Sequence, residues 1–103
     1  NSPNNSILYN FKNSSTTEIN LSSNYNNLEE VIYRVNTYTG SGGTNQPPSN
    51  ITGILLNYNN YNNNNNYKKN GTQIIFDSTG KIHYRILRLN VWSNWFTINP
   101  TAN

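Results

Sequence analysis

The sequence predicts an all-β fold, a compact antiparallel knob of the β-sandwich or barrel type. Short runs of Ile, Val, Thr, Tyr, Phe and Trp alternate with Asn, Gly, Ser and Pro, residue types that favour strands and turns respectively. Helix signals are weak, because the only alanine is Ala102 and no stretch keeps an apolar period of about 3.6 residues. Several short strands at this spacing are typical of a sandwich or barrel.

Seven strands are predicted in chain order, each a short apolar run between polar boundaries. They cover residues 7–11, 17–21, 30–38, 52–58, 72–77, 81–89 and 91–98. The sequence from Asp77 to Gly80 predicts a tight turn that joins the fifth strand to the sixth, with glycine at the position that favours a positive φ.

Two segments interrupt the strand pattern. Residues 40–50, GSGGTNQPPSN, predict a flexible loop that ends in the stiff pair Pro47 and Pro48. Residues 57–71, NYNNYNNNNNYKKNG, are of low complexity and have two interpretations. The first is a solvated hairpin tip produced by replication slippage in an AT-rich gene. The codons of an AT-rich genome favour asparagine, and 25 of the 103 residues are asparagine.

The second interpretation of residues 57–71 is a binding loop. Tyrosine offers a large, rigid, amphipathic contact area and asparagine offers adaptable hydrogen bonding, the combination found in antibody paratopes. A tyrosine ring can also stack on the C–H face of a sugar, and lysine attracts phosphate or carboxylate groups. On this interpretation the ligand-binding candidates are Tyr58, Tyr61, Tyr67, Lys68 and Lys69.

The core is expected to be thin, because apolar side chains make up only 33% of a single domain of 103 residues, and eight of them are tyrosines. Short chains with thin cores need disulfides, a metal or oligomerisation. The chain has no cysteine, and one histidine with four scattered acids offers no recognisable metal site, so we expect oligomerisation and no cofactor. In a three-fold assembly, His83 near the axis would be triplicated and could bind a metal or an anion, which is a further hypothesis.

The charge pattern argues against two classes of partner. The net charge of +3 comes from seven dispersed cations, whereas nucleic-acid binding needs basic residues clustered on one face. No apolar run approaches the roughly 18 residues of a membrane span. We therefore expect neither nucleic-acid binding nor membrane insertion.

Catalytic arrangements of residues are not recognisable either. A Ser-His-acid triad would have to use His83, which lies in mid-strand without a nucleophile elbow. A glycosidase needs two carboxylates across a cleft, but Glu29 and Glu30 are adjacent and would point to opposite faces, and Asp77 begins a turn. We expect a protein that is not an enzyme.

The closing segment YRILRLNVWSNWFTI, residues 84–98, holds both tryptophans. In an extended strand Trp92 and Trp95 would lie on opposite faces, so we expect one ring in the core and the other at a subunit contact. In the preceding strand Tyr84 and Arg85 also alternate between faces, and both faces mix apolar and charged residues. We expect these four side chains to serve packing within and between subunits.

The second half of the chain has a distinctive order of motifs. GILLNY is followed by a variable loop, then by TQIIFDSTGKIHYRI, a short turn and the terminal VWSNWFTI, while NNLEEVIYRVNTYTG lies upstream. This order, over residues 27–98, resembles the C-terminal head domain of bacteriophage tail fibres and related tailocin receptor-binding proteins. The matching residues are Gln73, Asp77, Gly80, Tyr84, Arg85, Trp92, Ser93 and Trp95. The long Asn/Tyr loop and His83 depart from the family pattern.

The resemblance implies a homotrimeric, β-rich receptor-binding head at the tip of a virion tail fibre, made in the cytoplasm of a bacterial host. Such a head binds cell-surface glycans or wall polymers by multivalent, non-catalytic contact. The W-S-x-W strand would serve architecture, and the variable loops would choose the receptor. The absence of methionine agrees with a head cut from a longer fibre, with residues 1–6 as a linker. The alternatives are a monomeric, lectin-like carbohydrate-binding module and a purely structural fibre segment for trimerisation.

Overall fold

The computed structural model describes residues 17–20, 22–38, 43–48, 50–59 and 69–102. Seven strands and one 3-10 helix, Tyr25–Asn27, form there. The strands are β1 (Thr17–Glu18), β2 (Ile32–Asn36), β3 (Thr52–Asn59), β4 (Gly71–Asp77), β5 (Ile82–Arg88), β6 (Val91–Trp92) and β7 (Phe96–Ile98). This confirms the all-β prediction. Across these ranges no helix has the length and apolar character that crossing a membrane requires.

The strands belong to one open, mixed sheet in the order β1-β2-β3-β4-β5-β6, and β7 pairs with β5 on the same edge as β6. β1 runs parallel to β2, and the other pairs are antiparallel. The closure into a sandwich or barrel stays a prediction.

Most strand predictions match the structure. The predicted runs that contain or nearly coincide with an observed strand are 17–21, 30–38, 52–58, 72–77 and 81–89. The predicted strand 7–11 and the predicted linker 1–6 lie outside the described residues. The prediction of one continuous strand over 91–98 is wrong, because residues 93–95 separate β6 from β7.

The sheet has two unlike faces, because side chains alternate along each strand. The covered face is buried and is formed by Tyr33, Val35, Leu55, Asn57, Gln73, Ile75, Asp77, His83, Arg85 and Leu87. The open face is half-buried or exposed, and its apolar members are Ile32, Ile54, Leu56, Ile74, Phe76, Ile82, Tyr84, Ile86, Phe96 and Ile98. Arg34, Asn36, Thr52, Tyr58, Thr72 and Arg88 lie on the same face, around these residues.

The core lies between the covered face and the chain segment that contains the 3-10 helix. Ile19, Tyr25 and Leu28 from this segment pack in one cluster with covered-face residues such as Leu55 and Ile75. The helix begins at the Asn24 cap, whose side-chain oxygen accepts a hydrogen bond from the Asn26 amide at 3.0 Å. The core is therefore made by a sheet and an irregular layer.

Two tight turns connect the last strands. At Gly80, φ is +93° and the amide donates to the Asp77 carbonyl at 2.8 Å, which confirms the predicted turn and the need for glycine there. The β5–β6 turn has positive φ at both Leu89 (49°) and Asn90 (72°), as a type I′ hairpin requires. Asn90 also accepts a hydrogen bond from the Lys69 amide at 2.7 Å, which ties this turn to the start of β4.

Candidate functional site

A cavity of about 550 Å³ opens where β3 ends and the chain returns to β4. Its volume is within the range of roughly 300–1,000 Å³ typical of small-molecule sites. The lining combines amide, aromatic, charged and aliphatic side chains. They are Asn26, Asn27, Leu28, Glu29, Val31, Asn57, Tyr58 and Lys69.

The cavity brings together two of the five predicted ligand-binding residues. Tyr58 is 62% exposed near the end of β3, and Lys69 lies two residues before β4 begins. Both line the cavity although ten residues of the chain separate them. The other three candidates, Tyr61, Tyr67 and Lys68, lie outside the described residues.

The floor of the cavity is fixed by Asn57, which is buried although it is polar. Its side-chain amide donates to the carbonyl oxygens of Leu28 and Glu30, both at 2.9 Å. The Tyr33 hydroxyl accepts hydrogen bonds from the backbone amides of Glu29 and Glu30 at 2.9 and 2.8 Å. These four bonds hold the cavity wall against the sheet, because each joins a buried side chain to a specific backbone atom of the wall.

Asn57 is the first member of a buried polar row that crosses three strands. The register pairs Asn57 with Gln73 and Gln73 with Arg85, so all three point to the covered face. Gln73 Nε2 donates to Asn57 Oδ1 at 3.0 Å and to the Tyr25 carbonyl at 2.6 Å. Arg85 Nε donates to Gln73 Oε1 at 2.8 Å. The row links Asn57 at the cavity floor to β5, the strand that pairs with β6 and β7.

Arg85 carries a buried positive charge that lies against two tryptophan rings. Its guanidinium carbon is 3.9 Å from the centre of the Trp92 ring and 4.9 Å from that of Trp95, a double cation–π contact. Burial lowers the pKa of Arg85 to about 10, so the group remains charged at neutral pH. Burial raises the pKa of Tyr25 to about 12, so this neighbouring phenol stays neutral. Neither Arg85 Nη2 nor the Tyr25 hydroxyl has a hydrogen-bond partner within the described chain.

The prediction that Trp92 and Trp95 take opposite faces is wrong, since both rings contact the guanidinium of Arg85. Ser93 explains the difference. Its amide donates to the Ile86 carbonyl at 2.8 Å, and its hydroxyl accepts from the Ile86 amide at 2.9 Å, so the side chain replaces a backbone carbonyl in the ladder. Three residues, 93–95, then face only two on β5, which is a β-bulge that turns Trp95 to the covered face.

Trp95 connects the C-terminal strands to the 3-10 helix and to Asn45. Its ring packs edge-on against Tyr25 with 5.9 Å between centroids, and its indole N–H donates to the Asn45 carbonyl at 3.0 Å. Tyr84, by contrast, is on the open face, where its ring lies 5.4 Å from that of Phe96. The expected subunit contacts of these side chains stay a prediction.

A second cluster joins the buried pair Asp77 and His83 to the exposed Thr97. His83 Nε2 lies 2.9 Å from Asp77 Oδ2, and His83 Nδ1 lies 2.9 Å from Thr97 Oγ1. Burial raises the pKa of Asp77, but hydrogen bonds from His83 and Thr79 outweigh that effect and hold the pKa below its ordinary value of 3.8. The order carboxylate, imidazole, hydroxyl is that of a hydrolase triad, but the cavity described above is lined by other residues.

The hypothesis that His83 binds a metal or anion at a three-fold axis does not fit this geometry. The ring is 2% exposed, and both of its nitrogens already have partners in the same chain. No group of three or more His, Cys, Asp or Glu side chains suited to a metal occurs in the part of the chain that the structure describes. His83 instead fastens β7 to the Asp77 turn.

The sequence interpretation missed the polar row and the Asp77–His83 pair, although one signal was available. The Asp77–Gly80 turn fixes the β4–β5 register, which pairs Gln73 with Arg85 and Ile75 with His83. Applying that register to the sequence would have placed these polar side chains on the same buried face.

Comparison with known proteins gives no match: no family model, curated protein or solved structure matches this chain. Function is therefore inferred from the cavity, its lining and the sequence motifs.

Proposed function

We propose that this domain is the receptor-binding tip of a bacteriophage tail fibre or related tailocin fibre, attaching the particle to surface glycans or wall polymers of a bacterial host. The observation that carries the proposal is the cavity that Tyr58 and Lys69 both line. The composition of residues 57–71 independently predicts both residues as ligand contacts. The motif order that resembles tail-fibre heads points to the same function.

The lining of the cavity suits a saccharide, since it combines an aromatic ring, amides and one charge of each sign. The exposed Tyr58 ring offers a flat surface for the C–H face of a sugar. The exposed side chain of Asn27 carries both hydrogen-bond donors and an acceptor, and sugar hydroxyls need both. Lys69 adds a cation for a phosphate or carboxylate substituent of the glycan or wall polymer. Binding of this kind needs no catalytic group.

The position of the cavity also suits receptor choice by a variable segment. In the sequence, Tyr58 and Lys69 flank residues 60–68, the most biased stretch of the chain. The cavity floor is held by the buried row of Asn57, Gln73 and Arg85. Binding sites are commonly built from loops carried on such a rigid scaffold, because the loops can then change without loss of the fold.

In this proposal the domain acts as a homotrimeric knob, closed into a sandwich- or barrel-like unit, at the tip of a virion fibre made in the host cytoplasm. Three cavities on each tip and several fibres on each particle would convert weak single contacts into firm attachment, because each later contact forms at a high effective concentration.

A cell-binding assay tests the proposal. The fluorescently labelled domain is incubated with a panel of intact bacteria of low G+C content, together with the Tyr58→Ala variant and the matched control Tyr38→Ala. Tyr38 is also exposed but does not line the cavity. We expect wild type and Tyr38→Ala to stain at least one strain, and Tyr58→Ala to lose at least tenfold in half-saturating concentration.

Other outcomes of the cell-binding assay would favour one of the two alternative functions. Staining by a protein that stays monomeric would favour a lectin-like carbohydrate-binding module. A trimer that stains no strain would favour a structural fibre segment. Equal staining by wild type and Tyr58→Ala would show that the receptor binds outside the cavity.

A further inference from the structure

We infer that the open face of the sheet is the surface through which copies of this chain associate. The strand register places its side chains in continuous apolar rows. One row runs across five strands through Ile32, Leu56, Ile74, Tyr84 and Phe96. The next row runs through Ile54, Phe76, Ile82 and Ile98. No charged side chain interrupts either row between these residues.

The exposed apolar area of this face is at the upper end of what a free surface carries. Ile54, Phe76, Ile86, Phe96 and Ile98 are each between 44% and 52% exposed. If each has a full surface of roughly 200 Å², they expose on the order of 500 Å² of side chain. The half-buried members of the rows add to this area. Free patches on monomers rarely exceed a few hundred Å², and a stable interface needs about 800 Å² per partner.

The shape of the face indicates what covers it. Five strands side by side at about 4.8 Å spacing make a flat surface some 20 Å wide, which is broader than one peptide strand can cover. Such a face is normally covered by another sheet packed about 10 Å away. The residues that the structure describes form one sheet, and a second copy of the chain offers a matching apolar sheet of the same width.

The rim of the face has the charge expected of an interface edge. Arg34 continues the second row outward on β2 and forms an ion pair with Glu18 of β1 at 3.4 Å. Arg88 lies at the other end, beside the β5–β6 turn. An apolar centre bounded by charged residues is the usual anatomy of a protein interface.

The inference gives association between copies of the chain a surface, and it stands without the proposed receptor. It also assigns Tyr84 and Phe96 to association, whereas Trp92 and Trp95 stay in the protomer. Tyr58, which lines the cavity, lies on the same face at the end of β3, beyond the two apolar rows.

The experiment measures mass by sedimentation equilibrium on the full 103-residue chain, as wild type, Phe76→Glu and the control Leu89→Ser. Leu89 is as exposed as Phe76 but lies in the β5–β6 turn, outside the rows. We expect wild type and Leu89→Ser to give a multiple of 11.8 kDa, and Phe76→Glu to give 11.8 kDa with an unchanged far-ultraviolet circular dichroism spectrum. A wild-type monomer at 100 µM, or a folded Phe76→Glu variant of unchanged mass, would overturn the inference.

A second measurement covers the case in which Phe76→Glu does not fold. The chain has no cysteine, so a single Ile54→Cys substitution gives one thiol on the open face, and Tyr38→Cys gives one elsewhere. We expect maleimide labelling of Ile54→Cys to slow at least tenfold between 1 and 100 µM protein, with Tyr38→Cys unchanged. Equal labelling rates at both concentrations would overturn the inference. Loss of cell staining with association intact would overturn only the proposed receptor function.

Discussion

Gln73 and Arg85 face each other across β4 and β5 inside the core, with Arg85 Nε 2.8 Å from Gln73 Oε1. The same glutamine donates to Asn57 Oδ1 and to the Tyr25 carbonyl, so one side chain serves three buried partners. Through Gln73, this pair therefore joins β5 to Asn57 at the floor of the proposed binding cavity.

Replacing Gln73 with leucine should destabilise the domain by about 3 kcal/mol or more. The change keeps a similar volume but leaves Arg85 Nε, Asn57 Oδ1 and the Tyr25 carbonyl without their partner, and each unsatisfied buried group costs roughly 1–3 kcal/mol. Urea denaturation at fixed protein concentration measures the loss. The matched control Gln46→Leu, at an exposed position, should change the free energy of unfolding by less than about 0.5 kcal/mol. Equal stability of both variants would show that the polar row of Asn57, Gln73 and Arg85 does not contribute to the free energy of unfolding.

Replacing Ser93 with alanine should cost about 1–2 kcal/mol, because the Ile86 amide loses its acceptor in the ladder. The bulge would also lose the contact that turns Trp95 toward Arg85, so tryptophan fluorescence should change together with stability. Ser78→Ala, in the exposed β4–β5 turn, is the control and should leave both signals in place. A Ser93→Ala protein with wild-type stability and fluorescence would mean that the backbone alone sets the bulge.

Replacing Leu89 with asparagine should stabilise the domain by about 0.5–1 kcal/mol. Leu89 is held at φ 49° in the β5–β6 turn, a left-handed conformation that costs a leucine roughly 1–2 kcal/mol and that asparagine tolerates. A melting temperature several degrees higher is expected for Leu89→Asn, and a lower one for the β-branched Leu89→Val. If Leu89→Asn melts below wild type, packing of the leucine side chain outweighs the backbone strain.

The Asp77–His83 pair predicts a loss of stability in acid. The folded-state pKa of Asp77 is held below 3.8, so its stabilising effect is complete above the unfolded pKa of about 3.9 and disappears as the pH falls through the folded value. Chemical denaturation between pH 5 and pH 2 should therefore show a steeper decline for wild type than for Asp77→Asn. The asparagine variant should be less stable at pH 7 and should approach wild type at pH 2. Parallel curves for the two proteins would exclude this role.

The local part of the fold could be predicted from the sequence, and the long-range part could not. The strands and the Asp77–Gly80 turn follow from short apolar runs and from glycine, both of which act within a few residues. The orientation of Trp95 escaped prediction because the hydroxyl of Ser93 replaces a backbone group, which strand alternation does not anticipate. Most of the cavity wall could not be predicted from the sequence either. The hydrogen bonds that position it join residues as far apart in the chain as Tyr25 and Gln73.

The measurement that most directly tests the central claim maps where the ligand binds. The isotope-labelled domain is titrated with the polysaccharide fraction extracted from cells that it stains, and amide chemical shifts are followed by nuclear magnetic resonance. We predict that the largest changes fall on Asn26, Asn27, Tyr58 and Lys69, which line the cavity. Saturable changes that collect elsewhere, with these four amides unmoved, would contradict the claim that the cavity is the receptor site.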